Sequence, residues 1–184
     1  MSTQSRPVRV GLAAALAFTL VGAISFPGSG SGPLSTPTAS ALTYVRVSSI
    51  GPATRANWIK LGRLGISMGI RNGILGLAPS QISTRYAFHY PGTSWPGGGS
   101  NTYLYAHARS GAFLKLKYAR IGDIVTMRLV TGAWVKYCIK GKYNVAWNAG
   151  IWVFPTKTER LTLQTCLGSG PTARKLMVTA VPAY

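Results

Sequence analysis

The stretch "ERLTLQTCLGSGPTARKLMV", Glu159–Val178, sets two β-type runs on either side of a Gly/Ser/Pro loop. In its first half Leu161, Leu163 and Thr165 alternate onto one inward face, and Cys166 shares the other face with Thr162 and Gln164. Gly168, Gly170 and Pro171 break the pattern, and Arg174 opens the second run. On its own, Cys166 reads as a small apolar side chain, the usual state of a free cysteine. An arginine eight residues later raises a second reading, a nucleophile with a cationic neighbour.

Working outward, the same kind of run recurs. "NWIKLGRLGISMGI" (57–70) alternates with breaks at Gly62 and Gly65. "NTYLYAHA" (101–108), "DIVTMRLVTG" (123–132), "WVKYCIKGKYNV" (134–145) and "ARKLMVTAVPAY" (173–184) are rich in aromatic and β-branched strand formers. Lys140-Gly141-Lys142 implies a hairpin or a bulge, and "GAFLKLKYAR" (111–120) implies a short helical turn. Many short strands without a long amphipathic helix predict an all-β barrel or sandwich over residues 44–184.

The chain has 184 residues, room for one domain plus a targeting segment. Against twenty Lys and Arg stand two acids, Asp123 and Glu159, giving a formal charge of +18. The field is spread along the chain and favours anionic surroundings: nucleic acid, lipid headgroups or anionic wall polymer. So few acids argue against paired-carboxylate glycoside hydrolysis and against an oxygen-rich calcium or magnesium site. His89, His107, Cys138 and Cys166 lack zinc-ligand spacing, so no metal site is expected. A disulfide joining Cys138 to Cys166 is conceivable outside the cell and would block the thiol.

At the amino end, Arg6 and Arg9 precede an apolar run from Val10 to Phe26. A basic region before a hydrophobic one predicts a signal or membrane anchor over residues 1–27, with its amino end in the cytoplasm and the rest of the chain outside. Cleavage near Ala39-Ser40-Ala41, giving a secreted protein, is the other outcome. Residues 28–43, rich in Gly, Ser and Pro, read as a linker.

Three residues form a chemical set: His107 at a strand end, Cys166 and Arg174. A thiolate needs a basic neighbour, which a histidine provides, and a guanidinium stabilises the oxyanion formed by attack on an amide. No carboxylate is required to orient such a pair. His89 in "HYPGT" reads as a loop residue or a cleft residue. Thr165 neighbours the cysteine, and Asp123 reads as fixing its turn by hydrogen bonding. Trp147, Trp152 and Phe154 in "YNVAWNAGIWVFP" line a groove or pack in the core.

These residues carry a family resemblance. "TYLYAHARSGAFLKLKYARIGDIV" resembles the sortase segment whose strand delivers the catalytic histidine. "LTLQTC" is similar to the sortase Thr-Leu-x-Thr-Cys strand, with Arg174 where sortases place their arginine. "WIKLGRLGI" resembles the family's first barrel strand, and "HYPGTSWPGGGSNTYLYAHAR" the lead-in of class D-like members. The resemblance implies a closed β-barrel of about eight strands with short helices in its loops. It implies a cysteine transpeptidase acting on an LPXTG-like motif with His107, Cys166 and Arg174 as catalytic residues. Substrate would lie against Thr165, His89 and Trp152. Partners would be sorting-motif-bearing surface proteins and an amine acceptor from peptidoglycan or a pilin lysine, with no cofactor and no specific nucleic acid. The alternative is a secreted basic β-domain that binds anionic polymer or nucleic acid without catalysis.

Overall fold

In the computed structural model, which describes residues 42–184, the alternating runs become eight strands. They are β1 (Ala56–Leu61), β2 (Ile66–Asn72), β3 (Tyr86–His89), β4 (Asn101–Tyr105), β5 (Ile124–Leu129), β6 (Trp134–Val145), β7 (Arg160–Cys166) and β8 (Lys175–Ala183). They close into one barrel in the order β1-β2-β3-β4-β7-β8-β6-β5, so the all-β barrel expected from the resemblance is the fold. The expected anchor over residues 1–27 and the linker up to residue 41 lie outside the described residues. Among the described residues no helix is long and apolar enough to cross a membrane.

Two pairings are parallel, β2 with β3 and β4 with β7, and the rest are antiparallel. Following these directions round the ring brings the carboxyl ends of β1, β4 and β7 to the same rim as the start of β5. The interior is filled by alternate residues: Ile59, Val125, Met127, Val135, Ile139, Leu161, Leu163 and Val178 are wholly buried. Across this rim runs a 3-10 turn, Phe113–Tyr118, the short helical turn expected there. Phe113 and Leu116 point down from it and close the core, each worth about 1.5–3 kcal/mol in removed apolar surface.

Two glycines set local geometry. Gly65 has φ +62° and ends the turn Gly62–Leu64 that reverses β1 into β2. A left-handed residue there suits glycine, which lacks the Cβ that clashes in this region. Gly141 lies in a bulge, where the register of β6 on β8 shifts between Ile139 and Gly141. A Cβ at Gly141 would sit 2.5 Å from the Tyr143 ring. The Lys140-Gly141-Lys142 step is therefore a bulge in one continuous strand, and the hairpin reading fails there.

Candidate active site

The parallel pairing of β4 and β7 sets Tyr105 beside Gln164. Just past it, the Ala106 amide donates to the Gln164 carbonyl at 3.1 Å. The Thr165 hydroxyl donates back to the Ala106 carbonyl at 3.0 Å. These two bonds lock the strand ends together, so the next residues on each, His107 and Cys166, emerge side by side on the rim. On the other flank of Cys166 the antiparallel pair β7–β8 sets Lys175 opposite it. The Leu167 amide donates to the Arg174 carbonyl at 2.8 Å and closes the loop between the strands. The three candidate catalytic residues thus stand on neighbouring strand ends, and no hydrogen bond joins their side chains among the described residues.

Each is held differently. His107 is half-buried, and its Nε2–H donates to the Ile82 carbonyl at 3.1 Å. A carbonyl only accepts, so the neutral ring keeps its proton on Nε2 and presents Nδ1 as the free nitrogen. Arg174 is exposed; its Nε donates to Asn144 Oδ1 at 2.6 Å and its Nη2 to the Asn144 carbonyl at 2.9 Å. Among the described residues, three of its five N–H groups have no partner. Cys166 is a half-exposed free thiol. Cys138 is also free, and it pairs with Val181 of β8 while Cys166 pairs with Lys175. Six residues of strand separate those partners, about 20 Å, against the roughly 7 Å limit between bridged Cα atoms. The Cys138–Cys166 disulfide is sterically excluded.

The other sequence candidates fall into two groups. Thr165 is buried, with its hydroxyl engaged by Ala106, so its side chain acts on the strand pairing. His89 is also buried: its Nε2 donates to the Ser94 carbonyl at 2.9 Å, and its ring stacks on Trp95 at 3.7 Å. Burial, then the Arg55 charge, hold its pKa below the ordinary histidine value despite the Ser94 carbonyl. It pins the β3–β4 loop. Trp152 packs its ring on Tyr143 at 4.9 Å in the short 3-10 turn Gly150–Val153 between β6 and β7. Trp147 and Phe154 in the same connection are exposed, which rules out the core reading for them. Asp123 accepts the Arg120 amide at 2.8 Å, fixing its turn as expected.

Several residues of the site gave no sequence signal. Asn101 donates through Nδ2 to the carbonyls of Trp152 (2.8 Å) and Phe154 (3.3 Å), tying the β6–β7 connection to β4. Tyr103 donates to Gln164 Oε1, on the same face as Cys166. Burial drives the Tyr103 phenol far above its ordinary pKa, so it stays a donor. Phe88, Tyr90 and Tyr105 continue this face as an aromatic floor, with ring centroids 5.7–6.3 Å apart. Two small clefts, of about 140 and 240 Å³, lie elsewhere, and neither is lined by Cys166. Cys166 ends the strand whose Gln164 pairs with Tyr105 of this aromatic face.

The model of the family described as Sortase domain matches residues 59–183. Solved structures with similar folds include "Sortase C1 of GBS Pilus Island 1", with a TM-score of 0.60 at 22% identity, covering 69% of this chain and 63% of that one. Sortase C-1 from Actinomyces oris gives 0.60 at 23% identity, covering 69% and 73%. A lid mutant of sortase A from Corynebacterium diphtheriae gives 0.60 at 18%, covering 69% of each chain. The chain thus spans a little under two thirds of the first of these. No curated protein matches the chain.

Proposed function

The chain belongs to the sortase family of cysteine transpeptidases, and from that premise we propose that it cleaves an LPXTG-like sorting motif and passes the acyl group to an amine. The Cys166 sulfur, as thiolate, adds to the carbonyl of the Thr–Gly bond, and the electron pair moves onto oxygen. The free N–H groups of Arg174 face that oxyanion. As the tetrahedral species collapses, the C–N bond breaks and the protonated His107 ring gives its Nδ1 proton to the departing glycine amine. A thioester remains. An amine from peptidoglycan or a pilin lysine then attacks it, loses a proton to His107, and releases the Cys166 thiolate. Trp152 and the aromatic face of β3 and β4 line the approach of the peptide.

The observation that carries this reading is the double tie between Ala106 and the Gln164–Thr165 end of β7. It puts a histidine and a cysteine from distant parts of the sequence on neighbouring strand ends. The test is incubation of the protein with LPXTG-type peptides and an amine, followed by mass spectrometry. A covalent adduct at Cys166 that is lost in Cys166→Ala is expected; no adduct and no cleavage across a motif panel would sink the proposal. We further propose that residues 1–27 anchor the chain with its barrel outside the membrane, which protease accessibility on intact cells tests. No observation favours the non-catalytic polymer-binding alternative.

A further inference from the structure

Between the 3-10 turn Phe113–Tyr118 and β5, the apolar side chains divide into two sets. Phe113, Leu116 and Ala119 point into the barrel and are at most 3% exposed. Tyr118, Ile121 and Ile124 point out and are 60%, 72% and 43% exposed. The core is complete without these three, so their exposure is not a by-product of filling it. Three large apolar side chains within seven residues exceed the scattered singles of an ordinary surface.

Cations surround them. Lys115, Lys117 and Arg120 are exposed on the same segment. Lys142, from β6, reaches over to the carbonyls of Lys117 (3.1 Å) and Ala119 (3.2 Å). The one carboxylate nearby, Asp123, is already taken: Arg63 meets it at 2.5 Å and the Arg120 amide at 2.8 Å. Glu159, the chain's other acid, is half-buried and accepts from Tyr137 and Gly99. The positive charge here is therefore uncompensated.

We propose that this part of the rim docks on the surface of an anionic phospholipid bilayer. Tyr118, Ile121 and Ile124 would enter the headgroup–acyl boundary, and the four cations would lie among the phosphates. An anionic polymer satisfies the cations but offers no apolar layer to the isoleucines. Nucleic acid takes aromatic rings by stacking, and it too has no place for Ile121 and Ile124. In the ring of strands, β1 and β5 lie opposite β4 and β7. A bilayer on the β5 side leaves the edge carrying Cys166 uncovered. The inference stands whether or not Cys166 is a nucleophile.

Hydrogen exchange on the full chain in vesicles reads this face directly, because any contribution of the amino-terminal segment is common to all samples. Amides of residues 114–124 should exchange several-fold more slowly in phosphatidylglycerol-containing vesicles than in pure phosphatidylcholine. Ile121→Ser and Tyr118→Ser should each abolish the difference. Lys117→Gln and Arg120→Gln should lower the docked-to-free ratio by about fivefold per charge. These positions are exposed, and the exchange of β4 and β7 in the same samples reports that the barrel is intact. Equal exchange in the two lipids overturns the proposal. So does equal protection by soluble polyphosphate that Ile121→Ser leaves unchanged, which would make the partner a polyanion. Protection that rises with protein concentration in the absence of lipid also overturns it, and would identify a second copy.

Discussion

Asn144 grips Arg174 through its side-chain and backbone oxygens together. Asn144→Ala keeps the backbone contact and loses the one that orients the guanidinium plane. The expected result is a fall in kcat/KM of about tenfold, in line with one exposed charge-assisted bond, with no change in Tm. Steady-state kinetics beside a thermal melt separates this from unfolding. Thr102 makes the opposite case. It is wholly buried, and among the described residues its hydroxyl has no hydrogen-bond partner. Thr102→Val keeps the shape and removes the orphan group, so denaturant unfolding should show a gain of about 1 kcal/mol. His89 links stability to pH. Its folded pKa lies below the unfolded value of 6.5, so protons favour the unfolded chain. Stability from this group is complete above pH 6.5 and drains away as the pH falls through and below that value. His89→Gln should flatten the dependence in unfolding curves measured from pH 8 to pH 5.

Among the elements, the β1–β2 reversal depends on one left-handed residue, Gly65. Gly65→Ala should cost about 1 kcal/mol, read as a lowered Tm, because the added Cβ is strained at that φ. Such reversals were legible in the sequence: glycine breaks and period-two alternation marked most of the strands and the turn at Phe113. What alternation cannot say is which strand lies beside which. The β4–β7 neighbourhood joins runs some sixty residues apart, and the pairing of His107 with Cys166 was suggested by the need of a thiol for a base and by the resemblance, not by any local pattern. Asn101 and Asn144 stayed hidden for the same reason, since each acts across a strand pair or a loop whose proximity no local pattern encodes. For His89 the "HYPGT" stretch left a loop role and a cleft role open, and its bond to the Ser94 carbonyl is the loop role. Thr165 was singled out as the neighbour of Cys166, and its side chain is buried.

For the whole molecule, charge is the governing feature: the described residues carry eighteen of the twenty cations and both acids. Self-repulsion on that scale weakens the compact state, and salt screens it. Tm should therefore rise between about 0.01 and 0.3 M salt, where the Debye length falls from about 30 Å to well under 10 Å. A scanning calorimetry series checks this, and a flat series would mean the cations are too dispersed to matter. The tie between Ala106 and Thr165, 59 residues apart, also has a consequence in time. Closing a loop of that length costs about 3–4 kcal/mol in chain entropy before any contact repays it, and such distant pairings form slowly. Arg174 and β8, which flank the thiol, come later still in the chain. During synthesis the imidazole and the thiol stay strangers until β7 has followed β4 by some sixty residues, so a chain interrupted between those strands carries the histidine without the edge that brings it to the cysteine.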